Sequence, residues 1–384
     1  MGAPLTSTLV RQRDVVRRRV LLLPVRWILP AVLAFLTPGP TPALQIRIAY
    51  GPTQSNNQHK LAGRDGRLFV TYTRPVAGVP QVHVETSTRG GPRQSLGQVS
   101  SGTGPATLST LIVDGAGTAH LAWTQFDGPV GRVYYSRFRG GWTAPVALSS
   151  AAAYAGYPSL DADSRGRLHL SWYGIRQPSA GQPTPHGGIY EIYYVQRTDR
   201  WGRPEWISPG VPDAINPALA VDAQDRVHVV WFQSDGRAYR VMYTTRPPGG
   251  AWTAPAALTA GGAPATRPAL AVDRRGTVHV VWEQQGGIYY RRGGRGAWTA
   301  AERIAAAGTD PTIGLWARGV FVLWMEEESV SLRAFDGRWR TVRSLGTGKD
   351  PNASPWRPGI DAEPRAAWTV GTEVRVTDLR PLLP

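Results

Sequence analysis

Four histidines, His120, His169, His228 and His279, each stand three residues before a tryptophan inside a short apolar run. Four imidazoles at fixed places invite a metal site, where zinc would need its donor atoms about 2 Å from one ion. Equivalent positions in successive repeats lie on different sheets, so convergence on one ion is not expected. Phe69 and Phe321 fill the same place in two other repeats, which reads as packing. The expectation is no metal, with each imidazole hydrogen-bonded to backbone within or between its repeats. Acid–base chemistry has other candidates: Asp310, Glu283 and Glu326 supply carboxyls, and Arg267 a cation. Two carboxyls about 5–9 Å apart would suit glycoside hydrolysis, although Glu326-Glu327-Glu328 also reads as a solvated hairpin tip. The chain has no cysteine, which excludes a thiolate nucleophile, a disulfide framework and cysteine-ligated metals. No cofactor is expected.

The elements that must position these residues follow from a repeat. Thr118-Ala-His-Leu-Ala-Trp123, Arg167-Leu-His-Leu-Ser-Trp172, Arg226-Val-His-Val-Val-Trp231, Thr277-Val-His-Val-Val-Trp282 and Gly319-Val-Phe-Val-Leu-Trp324 align on their last residue. Weaker copies, ending at Tyr72 and Trp368, flank them, and the spacings run from 42 to 59 residues. Before each full anchor comes an apolar segment and a turn such as Asp163-Ser-Arg-Gly166 or Asp273-Arg-Arg-Gly276. The last turn position needs positive φ, which glycine supplies freely and the aspartate of Asp222-Ala-Gln-Asp225 tolerates. After the anchor come a segment with paired aromatics, as in Ile192-Tyr-Tyr194, and one opening on tryptophan, as in Ala251-Trp-Thr-Ala-Pro255.

Four short strands joined by tight turns form one antiparallel sheet that is apolar on both faces. Stacking such sheets around an axis buries both faces, which predicts an all-β, seven-bladed propeller over residues 44–384, with six blades as the alternative. The last unit begins at Ala353-Ser-Pro-Trp356 and lacks a fourth strand, whereas Leu44-Gln-Ile-Arg-Ile-Ala49 stands alone before the first. The ring is expected to close by that strand joining the last blade.

The run Pro268-Ala-Leu-Ala-Val-Asp273-Arg-Arg-Gly276-Thr-Val-His279-Val-Val-Trp282, with its aromatic and Trp-Thr-Ala strands, resembles the sialidase-like propellers that carry BNR-type repeats. The resemblance spans roughly residues 44–384. It implies the propeller fold and a range of roles from sialidases and other glycosidases to lectins and scaffold factors. The decisive sialidase motifs are not matched: Ile46-Arg47-Ile48-Ala49 only shadows the arginine-bearing first strand. Neither an arginine triad nor a tyrosine–glutamate pair can be placed by motif. The aspartates of the turns sit between first and second strands, where the family's aspartate box does not.

Function on propellers gathers where the inner strands open and where second strands turn into third strands. Tyr157, Asn216, Arg267 and Asp310 open four inner strands and should point toward the axis. Tyr173, Arg176, Gln233 and Glu283 lie after the anchors, Arg176 in the long Gly174–Gly188 loop. Most tryptophans should be inter-blade core, leaving Trp316 and Trp356, outside the anchor positions, as exposed aromatics.

The excess of 43 Lys+Arg over 27 Asp+Glu gives a net charge of +16, nearly all arginine. It forms no run of the length a nucleic-acid arm shows, so no specific nucleic acid is expected. Residues 1–43 read as an export signal: Arg17-Arg18-Arg19, an apolar stretch to Leu36, and a small-residue, proline-rich exit ending at Ala43. Trp27 to Leu36 is short for a membrane helix, so a membrane is touched only if that segment stays uncleaved. The leading expectation is an exported, extracytoplasmic binding module for a glycan or a protein partner, without catalysis. The alternatives are a sialidase-like glycoside hydrolase built on Arg267, Asp310, Glu283 and Glu326, and a scaffold or assembly factor of an envelope complex.

Overall fold

The computed structural model describes residues 52–54, 59–88, 91–128, 130–175, 190–210, 213–294, 296–355 and 363–384. The export signal and the strand expected at Leu44–Ala49 lie outside these residues. The described residues form seven antiparallel sheets in sequence order, and the six-bladed alternative is excluded. Blades 2, 3, 4 and 6 have four strands, as does blade 1. Blade 5 adds a short pairing by Glu302–Ala305, and blade 7 has three strands among the described residues. The inner strands are Leu61–Arg64, Ala106–Val113, Ala155–Ala162, Ala214–Val221, Ala265–Val272, Thr309–Trp316 and Lys349–Ala353. Blade 7 departs from expectation here: Ala353 ends its inner strand instead of starting it.

Each anchor tryptophan is buried against the preceding blade. Trp282 joins Val241, Tyr243 and Leu258 of blade 4, and Trp324 joins Ile288, Tyr290 and Ile304 of blade 5. The paired aromatics of the third strand divide between the two sheet faces, as a period of two requires. The first stacks on its own anchor, with Trp172–Tyr193 ring centroids 5.9 Å apart and Trp282–Tyr289 6.0 Å. The second meets, edge-on, the tryptophan that follows the third strand of the next blade; the sequence expectation that it opens the fourth strand is corrected, since Trp201, Trp252 and Trp339 stand ahead of that strand. Tyr135–Trp201, Tyr194–Trp252, Tyr243–Trp298 and Tyr290–Trp339 centroids lie 5.0, 4.9, 5.1 and 4.8 Å apart. Such pairs add roughly 0.5–1.5 kcal/mol beyond the area they bury.

The ring closes on itself. Leu61, Leu68, Val70 and Tyr72 of blade 1 share a core with Ala367 and Val374 of blade 7. Thr53, ahead of blade 1, donates from N to Thr369 Oγ1 (3.1 Å) and from Oγ1 to the Asp350 carbonyl (2.8 Å), and accepts from Asn352 Nδ2 (2.8 Å).

The repeated histidines correct the sequence expectation: they bond to side chains, not backbone. His228 Nε2 lies 3.2 Å from Asp222 Oδ2 and its Nδ1 2.8 Å from Tyr243 Oη. His120, His169 and His279 make the same two contacts with Asp114 and Tyr135, Asp163 and Tyr194, and Asp273 and Tyr290. An ionised carboxylate only accepts, so Nε2 carries the proton and Nδ1 receives the tyrosine hydroxyl. Burial holds the His228 pKa below its usual value, which keeps the ring neutral. The second oxygen of each aspartate caps its own turn, as Asp163 Oδ1 does for the N–H groups of Arg165 (3.0 Å) and Arg167 (2.8 Å). The four imidazoles are thus committed to four separate blades, and no group of metal-binding side chains occurs among the described residues.

Burial alone would raise the pKa of Asp163 and Asp273. Hydrogen bonds from His169 and Arg167 to the first, and from His279 and the Thr277 N–H to the second, reverse this and hold each at about 2. A folded-state pKa below the ordinary 3.8 stabilises the fold above about pH 4, and that contribution is lost as pH falls through about 2. Thermal melts should therefore show a fall in Tm from pH 4 to pH 2 that is shallower in Asp163→Asn and Asp273→Asn. These variants should also melt lower than the parent at pH 7, and unchanged slopes would contradict the assignment.

Candidate functional site

Six of the inner strands break their pairing at one equivalent place. In blade 4, Ile215 faces Phe232 and the next ladder pair is Ala218 with Val230, so Asn216 and Pro217 together oppose Trp231. The same shift recurs in blades 2, 3, 5, 6 and 7. Proline has no N–H to give the ladder, and it follows the displaced residue in five of the six: Tyr157-Pro, Asn216-Pro, Arg267-Pro, Asp310-Pro and Asp350-Pro. The displaced residues have φ between 49° and 58°, as does Leu108 of blade 2. Non-glycine residues hold this left-handed conformation at a cost of order 1–3 kcal/mol, which the surrounding ladders must offset.

The bulges turn these side chains toward the axis, where they meet in one cavity of about 230 Å³. Tyr157, Asn216, Arg267 and Asp310, all expected from the sequence to share the axis, line it together with Tyr173. Asp350, Gln54 and Phe232 also line it and were not anticipated. Asp350 has a legible signal, because Asp350-Pro351 matches Asp310-Pro311, but Ser354-Pro355 stands close by as a competing opening for the blade. Glu283 stands behind Arg267, accepting from its Nη1 at 3.1 and 3.2 Å, and accepts from the Asp310 N–H as well. Arg267 Nε is 3.5 Å from Asp310 Oδ1.

The remaining expected residues fall elsewhere. Gln233 is buried and accepts from the Trp231 indole N–H (2.9 Å), which fixes it as part of the blade core. Gln125 and Gln284 serve Trp123 and Trp282 identically. Glu326 is exposed and pairs with Ser329 across a tight turn, with Glu327 at φ 54° inside that turn. It does not line the cavity. Arg176 lies outside the described residues.

One wall of the site is aromatic. Tyr157, Tyr154 and Tyr190 gather around Tyr173 with centroid separations of 5.1, 5.7 and 5.4 Å. Glycines make this packing feasible: a Cβ on Gly156 would stand 2.5 Å from the Tyr154 hydroxyl, and one on Gly174 2.8 Å from its carbonyl. Burial pushes the Tyr173 phenol well up and Tyr154 to about 12, so both stay protonated at neutral pH.

The opposite wall is electrostatic. Burial and the neighbouring Asp310 raise Asp350 to about 6, and burial also raises Glu283 and Asp310 despite the pull of Arg267. Burial opposes the charge on Arg267, but Asp310 and Glu283 more than restore it. Lys60, wholly buried, donates from Nζ to the Ser109 carbonyl; desolvation lowers it to about 7 against the attraction of Asp350. Arg267 is the one arginine lining the cavity among the described residues, and it is already gripped by two carboxyls. Asp350 Oδ2 and Asn216 Oδ1 are buried acceptors that no donor reaches among the described residues.

No family model and no curated protein matches the chain. Solved structures do. An ulvan lyase from a new family of polysaccharide lyases aligns with a TM-score of 0.59 and 12% identity, over 85% of this chain and 93% of that one. A Hadza microbial sialidase aligns at 0.54 and 11%, over 79% and 74%. The intramolecular trans-sialidase from Ruminococcus gnavus, in complex with oseltamivir carboxylate, aligns at 0.51 and 10%, over 72% and 93%. At these identities the likeness establishes the fold: a sialidase-like propeller architecture shared with glycan-processing enzymes.

The raised pKa of Asp350 depends partly on the Asp310 charge. Asp310→Asn should therefore lower the Asp350 pKa from about 6 toward its ordinary 3.8, read by carboxyl-carbon NMR titration, whereas a value left at 6 would mean that Asp310 does not act on it.

Proposed function

We propose that this propeller is a binding protein whose axial cavity takes a hydroxyl-rich, uncharged sugar residue of a glycan. The observation carrying this reading is the lining of the cavity, where the phenols of Tyr157 and Tyr173, the Asn216 amide and the carboxyls of Asp310 and Asp350 converge on a space of about 230 Å³. Such groups offer several donors and acceptors to ligand hydroxyls. The phenol wall of Tyr157 and Tyr173 supplies an apolar face with polar edges, suited to a sugar ring. An acidic sugar fits poorly, because Arg267 is already held by Glu283 and Asp310 and the next group a carboxylate would meet is Asp350. The basic, apolar and small-residue order of residues 1–43 supports export, a reading checked by N-terminal sequencing of the protein recovered from the extracytoplasmic fraction.

A second reading, glycoside hydrolysis, is favoured by one observation. Asp350 at about 6 beside Asp310 has the proton affinity a general acid needs near neutral pH. The two readings separate in one experiment. Neutral oligosaccharides titrated calorimetrically should bind without being cleaved, and Asn216→Ala and Tyr157→Ala should each weaken binding about tenfold, with thermal melts verifying that each variant is folded at the assay temperature. Release of product from fluorogenic aryl-glycosides or sialosides that is abolished by Glu283→Gln or Asp310→Asn would replace binding by catalysis. Equal binding by parent and both variants would remove the cavity as the site.

A further inference from the structure

The turns between first and second strands lie at the opposite end of the inner strands from the axial cavity. At two seams a side chain bridges the turns of adjacent blades. Arg64 Nη1 donates to the Asp114 carbonyl (3.1 Å) between blades 1 and 2. Asp225 accepts from Ser164 N (2.8 Å) and Oγ (2.9 Å) between blades 3 and 4. Between blades 5 and 6 the turn at 273–276 and the turn at 316–319 flank a cavity of about 420 Å³.

That cavity is basic. Arg274, Arg275, Arg292 and Arg318 line it, and the last three have no salt bridge among the described residues. Its two acids are occupied: Asp336 is held by Arg340, and Asp273 by the Arg275 and Thr277 N–H groups and by His279. Two guanidiniums instead lie over aromatic rings, Arg292 at 4.9 Å from the Phe335 centroid and Arg318 at 5.8 Å from that of Trp316. Trp316 is half-buried, and its indole N–H has no hydrogen-bond partner among the described residues.

We propose that this seam binds the anionic substituent, a sulfate ester or a uronate, of an acidic polysaccharide. Guanidiniums give planar, charge-assisted hydrogen bonds to such groups, and the half-buried Trp316 offers apolar surface to the sugar ring that carries them. The volume is larger than an inorganic anion needs and suits one or two sugar units. Arginines converging on a pocket differ from the extended basic track that follows a nucleic-acid backbone. The site is independent of the axial cavity and faces the opposite side of the ring.

The test uses dextran sulfate, unsulfated dextran, inorganic sulfate and a single-stranded oligonucleotide with the full propeller. It compares Arg275→Ala/Arg318→Ala with a charge-matched control, Arg139→Ala/Arg237→Ala. All four arginines are exposed, so folding should survive, and thermal melts verify this. Dextran sulfate should bind while dextran does not, with about a tenfold loss in the seam variant and little change in the control. Equal losses in the two variants would mean a diffuse basic surface and overturn the site. Inorganic sulfate binding as tightly as the polymer would leave no role for the ring contacts and overturn the saccharide assignment. Tighter, seam-dependent binding of the oligonucleotide would assign the pocket to nucleic acid instead.

Discussion

The structure depends on one constraint: each blade carries large apolar side chains on both faces and has no solvent-facing side on which to rest. The anchor tryptophan looks back to the preceding blade, and the second tyrosine of the third strand looks forward to the next one. A sheet so equipped is stable only between two others, so the array must return on itself. Closure is visible where Leu61 and Val70 pack with Ala367 and Val374, and where Thr53 bonds blade 7. The tyrosine that faces forward also receives the histidine of its own blade, and that histidine is held by the aspartate that caps the turn. Packing between blades and turn geometry within a blade are therefore linked through the same three side chains.

The same geometry explains why variation concentrates near the axis. Outer strands and anchors must repeat because each touches a neighbour built alike. The displaced residue of each inner strand touches no counterpart of its own kind, since the bulge turns it out of the ladder into shared space. Its identity is free to differ: tyrosine, asparagine, arginine and two aspartates in blades 3 to 7. The following proline enforces the break in pairing and so carries the positional information, while the residue before it carries the chemistry. Strain of a few kcal/mol per site is tolerable only because seven mutually buried sheets hold the strand on either side.

This division determines what could be read from the amino-acid order. The blade count, the tight turns and the burial of the anchors follow from a period that returns six times. Four axial residues followed too, because each precedes a proline in an apolar segment. Asp350 did not, because two Xaa-Pro pairs stand close together in the last blade and register, not composition, decides between them. Gln233 looked like a loop residue from its place after the anchor. Its partner is the indole two residues earlier, a contact made along one face of a strand and therefore invisible to an argument about loops. The histidines' fixed place in the repeat marks them as part of the blade core, but their partners depend on which aspartate oxygen remains after the turn is capped.

Charge sorting completes the argument about ligands. A chain with a net charge of +16 might be expected to present cations everywhere, yet three carboxyls and one engaged arginine meet at the axis. Ionising all three would place like charges in a half-buried space; burial raises all three pKa values, and the Asp310 charge adds to the rise at Asp350 and Glu283. Under the proposed function, a ligand that brings hydroxyl donors would suit that arrangement better than one that brings another anion. The seam between blades 5 and 6 differs, because there Asp336 is paired with Arg340 and Asp273 is hydrogen-bonded within its own blade, while Arg275, Arg292 and Arg318 have no salt bridge among the described residues. The two proposed sites, of opposite sign at opposite ends of the inner strands, would then discriminate between uncharged and acidic parts of a glycan, and neither would substitute for the other.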